Sequence, residues 1–304
     1  MKVLVTGGSG FVGRRVVEEL VARGHHVVAP LRKPVFWPDV MVPAIGDLGP
    51  DTDWSAVLAG CDAVIHCAAR AHILDDRSAD PLAEFRRVNC AGTLRLAQQA
   101  RDAGIGHFVF VSTIKVNGET TPVDRPFTVD DAPNPQDAYG IAKTEAEAGL
   151  RAMDFPVLTI VRPPLVHGPG AKGNLAVLIK AIRMGLPLPL ACVDNRRSMV
   201  GLHNLADALG FLLERRAAGT YLVRDDDDLS TAQLIRALGQ AMGCGAVLLP
   251  MPPVLLTLAA RILGKKAVAE RVLGSLVVDD TPLRALGWVP VLSTEAGLAR
   301  MVRD

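Results

Sequence analysis

Residues 137–143 (DAYGIAK) contain two side chains that could move and steer a proton. Tyr139 is one of two tyrosines among 304 residues, and Lys143 follows it by four positions. Positions i and i+4 lie on one face of an α-helix, so the phenol and the ammonium would face the same small volume. A phenol with a reference pKa of ~10 is a poor base near neutrality unless a nearby positive charge favours its anion. The pair therefore predicts acid–base chemistry by Tyr139, with Lys143 lowering the pKa of the phenol.

A glycine-rich loop near the amino terminus could hold the phosphates of a dinucleotide. Residues 6–13 (TGGSGFVG) place Gly7, Gly10 and Gly13 directly after a strand-like run and directly before a helix-like one. Glycine permits a tight turn and lets backbone N–H groups approach a pyrophosphate, while the helix amino terminus adds partial positive charge. We expect Phe11 and Val12, inside the same loop, to lie against the cofactor as well. The alternative is a glycine-rich turn that binds nothing.

The end of the second predicted strand bears on which dinucleotide is bound. In residues 25–34 (HHVVAPLRKP), Leu31 falls about where an acid would bind the ribose 2′-hydroxyl of NAD, and Arg32 and Lys33 follow it. Two cations without a carboxylate suit a 2′-phosphate better than an unmodified ribose. The sequence therefore favours NADP(H), with NAD(H) as the alternative. Arg32 and Lys33 could instead belong to a solvated loop.

The elements that must position these residues alternate along the first half of the chain. Short apolar runs at residues 2–7, 25–32, 62–69 and 107–112 predict strands, and the patterns at residues 11–24 and 81–104 predict helices between them. This order predicts an α/β fold of the Rossmann type, a doubly wound parallel sheet with helices on both faces. We place this dinucleotide-binding domain at residues 1–166.

The second half of the chain has a different sequence pattern, in which predicted helices are separated by proline and glycine. Residues 167–304 predict a smaller, mostly helical region that binds the substrate, with some of its segments free to return to the sheet. A ligand site is expected in the crevice between the two parts. The four aspartates at 225–228 predict a solvated turn before a helix capped near Ser230.

Composition excludes several other classes of function. The chain is 49% hydrophobic and 21% charged, which is typical of a globular protein with a sizeable core. Its 33 basic and 32 acidic residues leave a net charge of +1, so no overall field favours nucleic acid. The apolar residues 246–264 are too few and too interrupted by proline to predict a membrane span. A helix lying on a protein or membrane surface remains an alternative there.

Cysteine and histidine usage indicates a reducing compartment without a metal site. The five cysteines include no CxxC spacing, and the seven histidines show neither HExxH nor a paired spacing with cysteine. No signal peptide is recognisable at the amino terminus. We therefore expect reduced thiols, no bound metal and a cytoplasmic protein.

Six motifs occur in a fixed order and together resemble one family. They are residues 6–13 (TGGSGFVG), 65–69 (IHCAA), 88–96 (VNCAGTLRL), 108–118 (FVFVSTIKVNG), 139–143 (YGIAK) and 162–170 (RPPLVHGPG). The set closely resembles the extended short-chain dehydrogenase/reductase family of nucleotide-sugar epimerases, dehydratases and reductases. The resemblance covers nearly the whole chain, and it implies a homodimer that acts on a nucleotide sugar, with UDP as the expected nucleotide.

The resemblance also implies roles for individual residues. Thr113 would hydrogen-bond the reacting oxygen and orient it towards Tyr139, whereas Ser112 would point the other way. Beyond the glycine loop, the implied cofactor contacts are Asp47, Leu48, Ala68, Ala69, Pro163 and Val166, together with Tyr139 and Lys143. The implied substrate contacts are Thr113, Lys115, Asn117, Asn174, Leu175 and Arg197, where Arg197 would clamp the diphosphate. Asn174 could instead cap a helix, and His72 lies where the family often reaches its sugar.

Two positions after Thr113 discriminate between reactions of the family. Related 4,6-dehydratases carry Asp-Glu there, because eliminating water needs a further acid and base, and this chain has Ile114 and Lys115. Dehydration is therefore not expected. The motifs look most like those of reductases of a UDP-4-keto-6-deoxy-N-acetylhexosamine in polysaccharide biosynthesis. A UDP-hexose or UDP-N-acetylhexosamine 4-epimerase is the alternative, and a non-catalytic NADP(H)-sensing protein is an alternative of another class.

Overall fold

The computed structural model describes residues 1–71, 78, 80–122, 124–171, 173–262, 264 and 266–303. Nine strands lie within these ranges: β1 (Lys2–Thr6), β2 (His26–Val28), β3 (Val40–Met41), β4 (Ala63–His66), β5 (His107–Val111), β6 (Leu158–Arg162), β7 (Leu165–His167), β8 (Met199–Gly201) and β9 (Gly219–Leu222). Seven form one parallel sheet in the order β3-β2-β1-β4-β5-β6-β9, and β7 pairs with β8. The predicted Rossmann-type α/β fold is confirmed.

The helices follow the predicted alternation with the strands. They are α1 (Phe11–Ala22), α2 (Ser55–Leu58), α3 (Pro81–Phe85), α4 (Gly92–Asp102), α5 (Ala138–Arg151), α6 (Asn174–Arg183), α7 (Leu202–Glu214), α8 (Thr231–Ala241), α9 (Pro253–Ile262), α10 (Lys266–Leu273), α11 (Thr281–Ala285) and α12 (Thr294–Arg303). A π-helical turn, Arg86–Ala91, joins α3 to α4. No helix among the described residues is both long enough and apolar enough to cross a membrane.

Both faces of the sheet are buried under helices. Val3 and Val5 of β1 pack in the apolar cluster that contains residues of α1 and α7. Leu4, between them, packs in the opposite cluster with residues of α4 and α5. Alternate side chains of a strand point to opposite faces, so a sheet covered on both sides needs uninterrupted apolar strands. This explains why the predicted strands are continuous apolar runs.

The strand order places a crevice at the carboxyl ends of β1 and β4. From β1 the sheet grows through β2 and β3 in one direction and through β4, β5 and β6 in the other. The loops after β1 and β4 therefore diverge at a topological switch point, where open α/β sheets bind their ligands. The glycine loop follows β1, so the fold brings it to this crevice.

The residues after 166 form a second apolar cluster and also rejoin the sheet. Side chains of α6, α8 and α12 make a separate core around Ile235, Leu238 and Leu298. In contrast, β9 pairs with β6, and α7 packs against α1. The division of the chain at residue 166 stays a prediction, because the later residues contribute to both regions.

The acidic run at 225–228 differs from its prediction. The Asp225 carboxylate is buried and accepts hydrogen bonds from Gly201 N at 2.9 and 3.0 Å and from Asn204 Nδ2 at 2.7 Å. The side chain of Asp228 is also buried and accepts from Ser198 Oγ at 2.6 Å. The predicted solvated turn is therefore wrong for Asp225 and Asp228. The predicted cap at Ser230 is confirmed, because its side chain begins α8 in a capping box.

Candidate active site

The glycine loop fits closely against the loop that follows β4. Gly7 has a φ of 73°, and a Cβ added there would lie 2.8 Å from Ala68 N. A Cβ on Gly13 would lie 2.2 Å from Gly7 O. Larger residues therefore cannot occupy these positions without moving backbone. Gly10 is the N-cap of α1 without a side-chain cap, which leaves the first N–H groups of α1 available to a phosphate.

A buried histidine holds the ends of β1 and β4 together. Thr6 Oγ1 and His66 Nδ1 are 2.6 Å apart, and His66 Nε2 and Thr93 Oγ1 are 2.9 Å apart. Thr93 Oγ1 donates to Asn89 O, and Thr6 Oγ1 accepts from Ala68 N. Since each hydroxyl has one proton, His66 must carry its proton on Nε2. Burial, with the nearby Lys143 charge, lowers the pKa of His66 to about 3, so the ring stays neutral.

Asn89 fixes the backbone of the loop after β4. Its Oδ1 accepts from Arg70 N at 2.7 Å, and its Nδ2 donates to Arg70 O at 2.9 Å. Asn89 is buried and lies in the π-helical turn between α3 and α4. π-helical turns occur often at functional sites. The loop held in this way includes the predicted cofactor contacts Ala68 and Ala69.

Arg32 and Asp47, which the sequence assigned to different parts of the cofactor, lie close together in the structure. Arg32 Nη1 lies 3.4 Å from Asp47 Oδ1, and both side chains are highly exposed. Leu31 is buried, whereas Lys33 is exposed. Leu48 is partly buried against the apolar cluster on the α4 side of the sheet. Arg32 and Lys33 are thus accessible to a 2′-phosphate, but the charge of Arg32 is partly balanced by Asp47.

Tyr139 and Lys143 lie on α5 beside the carboxyl end of β5. Asp137 caps the helix by accepting from Gly140 N at 2.7 Å. Lys143 is 1% exposed, and its Nζ donates to Val111 O at 2.8 Å. The same Nζ is 6.0 Å from the centroid of the Tyr139 ring. The predicted helical pairing of the phenol and the ammonium is present in the structure.

Burial shifts the pKa values of this pair in opposite directions. Burial lowers the pKa of Lys143 to about 8, and the nearby Glu147 carboxylate opposes this shift. Burial and the nearby Asp137 carboxylate raise the pKa of the Tyr139 phenol above its ordinary value. The expected lowering of the phenol pKa by Lys143 is therefore not found in the protein alone. The Tyr139 phenol therefore stays protonated at neutral pH in the protein alone.

Thr113 and Ser112 face opposite sides at the end of β5. Thr113 has extended backbone, and its Oγ1 accepts from Lys115 N at 3.3 Å. Ser112 Oγ donates to Glu147 Oε1 at 2.6 Å, inside the protein. The structure thus shows the alternation on which the choice of Thr113 depended.

A buried network of charged side chains joins α5 to β6. Glu147, one turn after Lys143, accepts from Arg162 Nε at 2.9 Å and from Arg162 Nη2 at 2.6 Å. Although burial acts to raise it, the hydrogen bonds and charge of Arg162 hold the pKa of Glu147 below its usual value. Sequence reasoning assigned no role to Glu147 or Asn89. The i+4 spacing from Lys143 and the quoted VNCAG motif were the signals that could have identified them.

Asn117 belongs to this network and not to an open surface. Its Oδ1 accepts from Arg162 Nη1 at 2.9 Å, and its Nδ2 donates to Thr128 O at 2.8 Å. Asn117 is 2% exposed. The structure therefore corrects the predicted substrate contact, because both ends of the amide are used within the scaffold.

Lys115 and Arg197 approach one another from the two parts of the chain. Lys115 Nζ pairs with Asp137 and lies 3.1 Å from Glu119 Oε1. Glu119 also pairs with Arg271 at 3.4 Å. Arg197 Nη1 donates to Arg271 O and to Gly274 O, each at 2.9 Å. The structure thus brings two predicted substrate contacts to one charged region. We call it the cationic region, because Lys115, Arg197 and Arg271 outnumber the carboxylates of Asp137 and Glu119 there.

The other predicted contacts are distributed differently. Asn174 is exposed as the first residue of α6, whose N-cap is Gly173. Leu175 is 4% exposed and packs within the core of the second region, and its predicted substrate contact stays a prediction. Pro163 O accepts from Ile114 N, and Val166 packs against the sheet core. His72 lies outside the described residues. No group of three metal-ligating side chains is found among the residues that are described.

Comparison with known proteins agrees with the fold and the motifs. Residues 3–223 match the model of the NAD dependent epimerase/dehydratase family. A UDP-glucose 4-epimerase of Vibrio cholerae is 38% identical over 303 residues, which cover 97% of this chain and 92% of that protein.

Two solved structures share the fold. MoeE5 in complex with UDP-glucose and NAD superposes with a TM-score of 0.76 at 24% identity and covers 99% of this chain and 97% of that one. The human epimerase family protein SDR39U1, solved with NADPH, superposes with a TM-score of 0.74 at 21% identity and covers 100% of both chains. One of these structures contains NAD and the other NADPH, and both are nicotinamide dinucleotides.

Proposed function

Because the chain belongs to the NAD dependent epimerase/dehydratase family, we propose that it oxidises and re-reduces C4 of a UDP-hexose as a 4-epimerase. The observation that carries this proposal is the 38% identity with a UDP-glucose 4-epimerase over 97% of the chain. It favours the epimerase over the reductase that the motifs predicted. Tyr139, Lys143 and Thr113 would supply the acid–base and orienting groups that either reaction needs.

The residues present fit a nicotinamide dinucleotide. A Cβ on Gly7 or Gly13 would clash with backbone, so these glycines permit the tight loop, and the first N–H groups of α1 can face a pyrophosphate. When bound, the nicotinamide supplies hydride acceptance and donation. Ala68 and Ala69 would line the cofactor, and Lys143 would fix its ribose. Arg32 and Lys33 would contact a 2′-phosphate where one is present.

Tyr139 would take the proton from the C4 hydroxyl and return it to the ketone oxygen after the 4-keto sugar has rotated, so that the opposite face of C4 is reduced. Thr113 would hydrogen-bond the same oxygen and hold it towards the phenol. Because burial raises the phenol pKa in the protein alone, the oxidative step requires added positive charge near the ring. The ammonium of Lys143, 6.0 Å from the ring centroid, is already present when the phenol pKa is raised, so the added charge would come from bound ligands.

The diphosphate of the substrate would lie in the cationic region shared by Arg197 and Lys115. A guanidinium offers a planar set of donors that matches phosphate oxygens. Ile114 and Lys115 stand where a dehydratase would need an acid and a base, so elimination of water is not part of the proposal.

The second candidate function is reduction of a 4-keto sugar with NADPH. The specific observation in its favour is the pair Arg32 and Lys33, both exposed after a strand that ends without a carboxylate. A related fold is known with NADPH. Reduction needs one proton donation by Tyr139, for which a raised phenol pKa is suitable.

The experiment offers each substrate separately to the purified protein. UDP-glucose and UDP-N-acetylglucosamine are incubated with NAD⁺, and UDP-4-keto-6-deoxy-N-acetylglucosamine with NADPH or NADH. We expect C4 epimers to form without net change in the absorbance of reduced nicotinamide. Net consumption of NADPH with the keto sugar would establish the reductase instead. Tight cofactor binding without turnover of any of them would contradict both enzymatic functions.

A further inference from the structure

The Glu119 carboxylate lies among the basic side chains of the cationic region. Its Oε1 is 3.1 Å from Lys115 Nζ, and its Oε2 accepts from Arg271 Nε at 3.4 Å. It also acts on Arg197, because burial lowers the pKa of this guanidinium and the negative charge of Glu119 opposes that shift. One carboxylate thus partly balances both proposed diphosphate contacts, Lys115 and Arg197, together with Arg271 beside them.

A carboxylate and a phosphate compete for the same donors in such a region. Both present anionic oxygens that accept charge-assisted hydrogen bonds from ammonium and guanidinium groups. The ion pairs of Glu119 are accessible to water, since the side chains of Lys115 and Arg271 are 31% and 44% exposed. Ion pairs of this kind contribute little to stability. A ligand with phosphate oxygens can therefore replace the Glu119 carboxylate at a small cost.

The backbone around Glu119 is fixed, whereas its side chain is not. Thr121 N donates to Ser275 O at 2.9 Å, and Thr121 Oγ1 accepts from Val277 N at 3.0 Å. On the other side, Asn117 is buried, and both ends of its amide are hydrogen-bonded. The Glu119 side chain is 19% exposed. Rotation about its side-chain bonds can thus move the carboxylate without moving the segment that carries it.

We propose that Glu119 substitutes for a substrate phosphate in the protein alone, and that its carboxylate leaves the cationic region when the diphosphate of a nucleotide sugar enters. This inference rests on the proposed function, because it takes the diphosphate to bind at Arg197 and Lys115. Two anions beside the same donors repel one another, so one of them must leave. Glu119 therefore selects for ligands that carry more negative charge than one carboxylate, such as a nucleoside diphosphate.

Calorimetric titration of the full chain with UDP, and with uridine as a probe without phosphate, tests this role. Glu119→Gln keeps nearly the same shape and removes the competing charge. We expect its affinity for UDP to be about tenfold higher than that of the unmodified protein, with the affinity for uridine unchanged. A residue that only supported the local structure would lower the affinity when replaced.

The matched control is another carboxylate that lies between two basic side chains. Glu214 is 2.9 Å from Arg23 Nη1 and 3.1 Å from His25 Nε2. His25 directly precedes β2, so these groups lie at the amino ends of the strands, opposite the candidate site. Glu214→Gln should bind UDP like the unmodified protein. Thermal melting verifies that each variant is folded.

A second variant at the same position keeps the charge on a shorter side chain. In Glu119→Asp the carboxylate reaches Lys115 and Arg271 less well, so we expect a UDP affinity between those of the unmodified protein and Glu119→Gln. If Glu119→Gln does not fold, the aspartate variant decides the question in the same titration, and an affinity no higher than that of the unmodified protein overturns the proposal.

The outcomes separate this inference from the proposed function. If the unmodified protein binds UDP and Glu119→Gln binds it no more tightly, the inference is wrong and the nucleotide-sugar function stands. An equal rise in affinity for uridine would also overturn the inference, because Glu119 would then obstruct the nucleoside and not the diphosphate. No binding of UDP by the unmodified protein would contradict the nucleotide-sugar function itself, and the inference with it.

Discussion

One physical cause, burial, acts on both halves of the candidate proton-transfer pair. Removal from water disfavours the charged form, so it raises the pKa of the Tyr139 phenol and lowers that of the Lys143 ammonium to about 8. The protein alone therefore holds a protonated phenol next to a lysine that titrates within two units of neutrality. Charge brought in by ligands then decides the direction in which the proton moves.

Replacing the phenol tests the role of Tyr139 directly. We expect Tyr139→Phe to lose about a hundredfold to ten-thousandfold in kcat, because it removes the proton donor and leaves the helix intact. Cofactor binding, followed by fluorescence titration, should be retained. The matched control is Tyr221→Phe, since the hydroxyl of this other tyrosine donates to Ala218 O. Turnover by Tyr139→Phe comparable to that of the control would eliminate the assigned role.

The depressed pKa of Lys143 predicts a change of stability with pH. The ordinary pKa of 10.5 applies to the unfolded chain and about 8 to the folded one. Between these values the unfolded state binds more protons, so the free energy of unfolding rises with pH; below about pH 8 this contribution is constant. Relative to Lys143→Met, we expect the unmodified protein to gain about 2–3 kcal/mol between roughly pH 7 and pH 10.

Urea unfolding of both proteins without cofactor at the two pH values measures this gain. Groups that titrate equally in both proteins cancel in the difference. A difference that stays constant with pH would show that Lys143 has an ordinary pKa in the folded protein.

How well the role of a residue could be predicted depended on the kind of sequence signal that the residue gave. Tyr139 and Lys143 were identified from a four-residue spacing, which a helix converts directly into proximity. Asn117 and Leu175 were assigned by motif position, and motif position does not reveal burial. Glu147 was missed because its partner Arg162 is fifteen residues distant, on β6. Such pairings arise only when elements pack.

At the scale of elements, the β1 loop and α1 act as one rigid unit. Gly13 lies in the first turn of α1, and its Cα faces Gly7 O across the loop. Because backbone atoms fill the inside of the loop, a phosphate would bind on its outer side. Both contacting groups, at Gly13 and Gly7, belong to the backbone, so neither can move aside as a flexible side chain could.

Gly13→Ala should therefore disrupt cofactor binding. Its Cβ would lie 2.2 Å from Gly7 O, so the loop must shift, at a cost of about 1–3 kcal/mol. We expect the affinity for NAD⁺ or NADPH to fall at least about tenfold in calorimetry. Gly245→Ala is the control, since a Cβ there meets nothing within 4 Å. An unchanged affinity in Gly13→Ala would place the pyrophosphate elsewhere.

The sequence predicted elements well where periodicity was regular. Continuous apolar strands alternating with helices specified the parallel sheet, and the capping pattern specified the start of α8 at Ser230. The π-helical turn at Arg86–Ala91 leaves no mark in periodicity, because one extra residue is absorbed within a longer helix. The burial of Asp225 depends on donors from Gly201 and Asn204, which no local pattern reveals.

At the scale of the whole molecule, the candidate site depends on both parts of the chain. The glycine loop, Thr113 and Tyr139 come from the first half, whereas Arg197, the proposed diphosphate contact, comes from the second. Arg197 is positioned through carbonyls near α10, and Lys115 through Asp137 and Glu119. The predicted homodimer is not needed for this arrangement and stays a prediction.

Because the two ligands are assigned to different parts of the chain, we expect Arg197 variants to bind the nucleotide sugar more weakly and the cofactor as before. We expect Arg197→Ala to weaken binding of UDP at least about tenfold in calorimetry, because it removes a charged hydrogen-bond donor to the diphosphate. NAD⁺ or NADPH affinity should stay unchanged, since the glycine loop lies in the other part of the chain. Arg303→Ala, at an exposed position on α12, controls for the loss of one positive charge.

A second variant separates ligand contact from local support, because Arg197 also donates to Arg271 O and Gly274 O. Arg197→Lys keeps the charge but loses the planar set of donors, so UDP affinity should fall to a value between those of the alanine variant and the unmodified protein. If both variants bound UDP like the unmodified protein, the cationic region near Lys115 would not be the diphosphate site. If both lost cofactor affinity equally, the two halves of the site would be coupled through the fold and not independent.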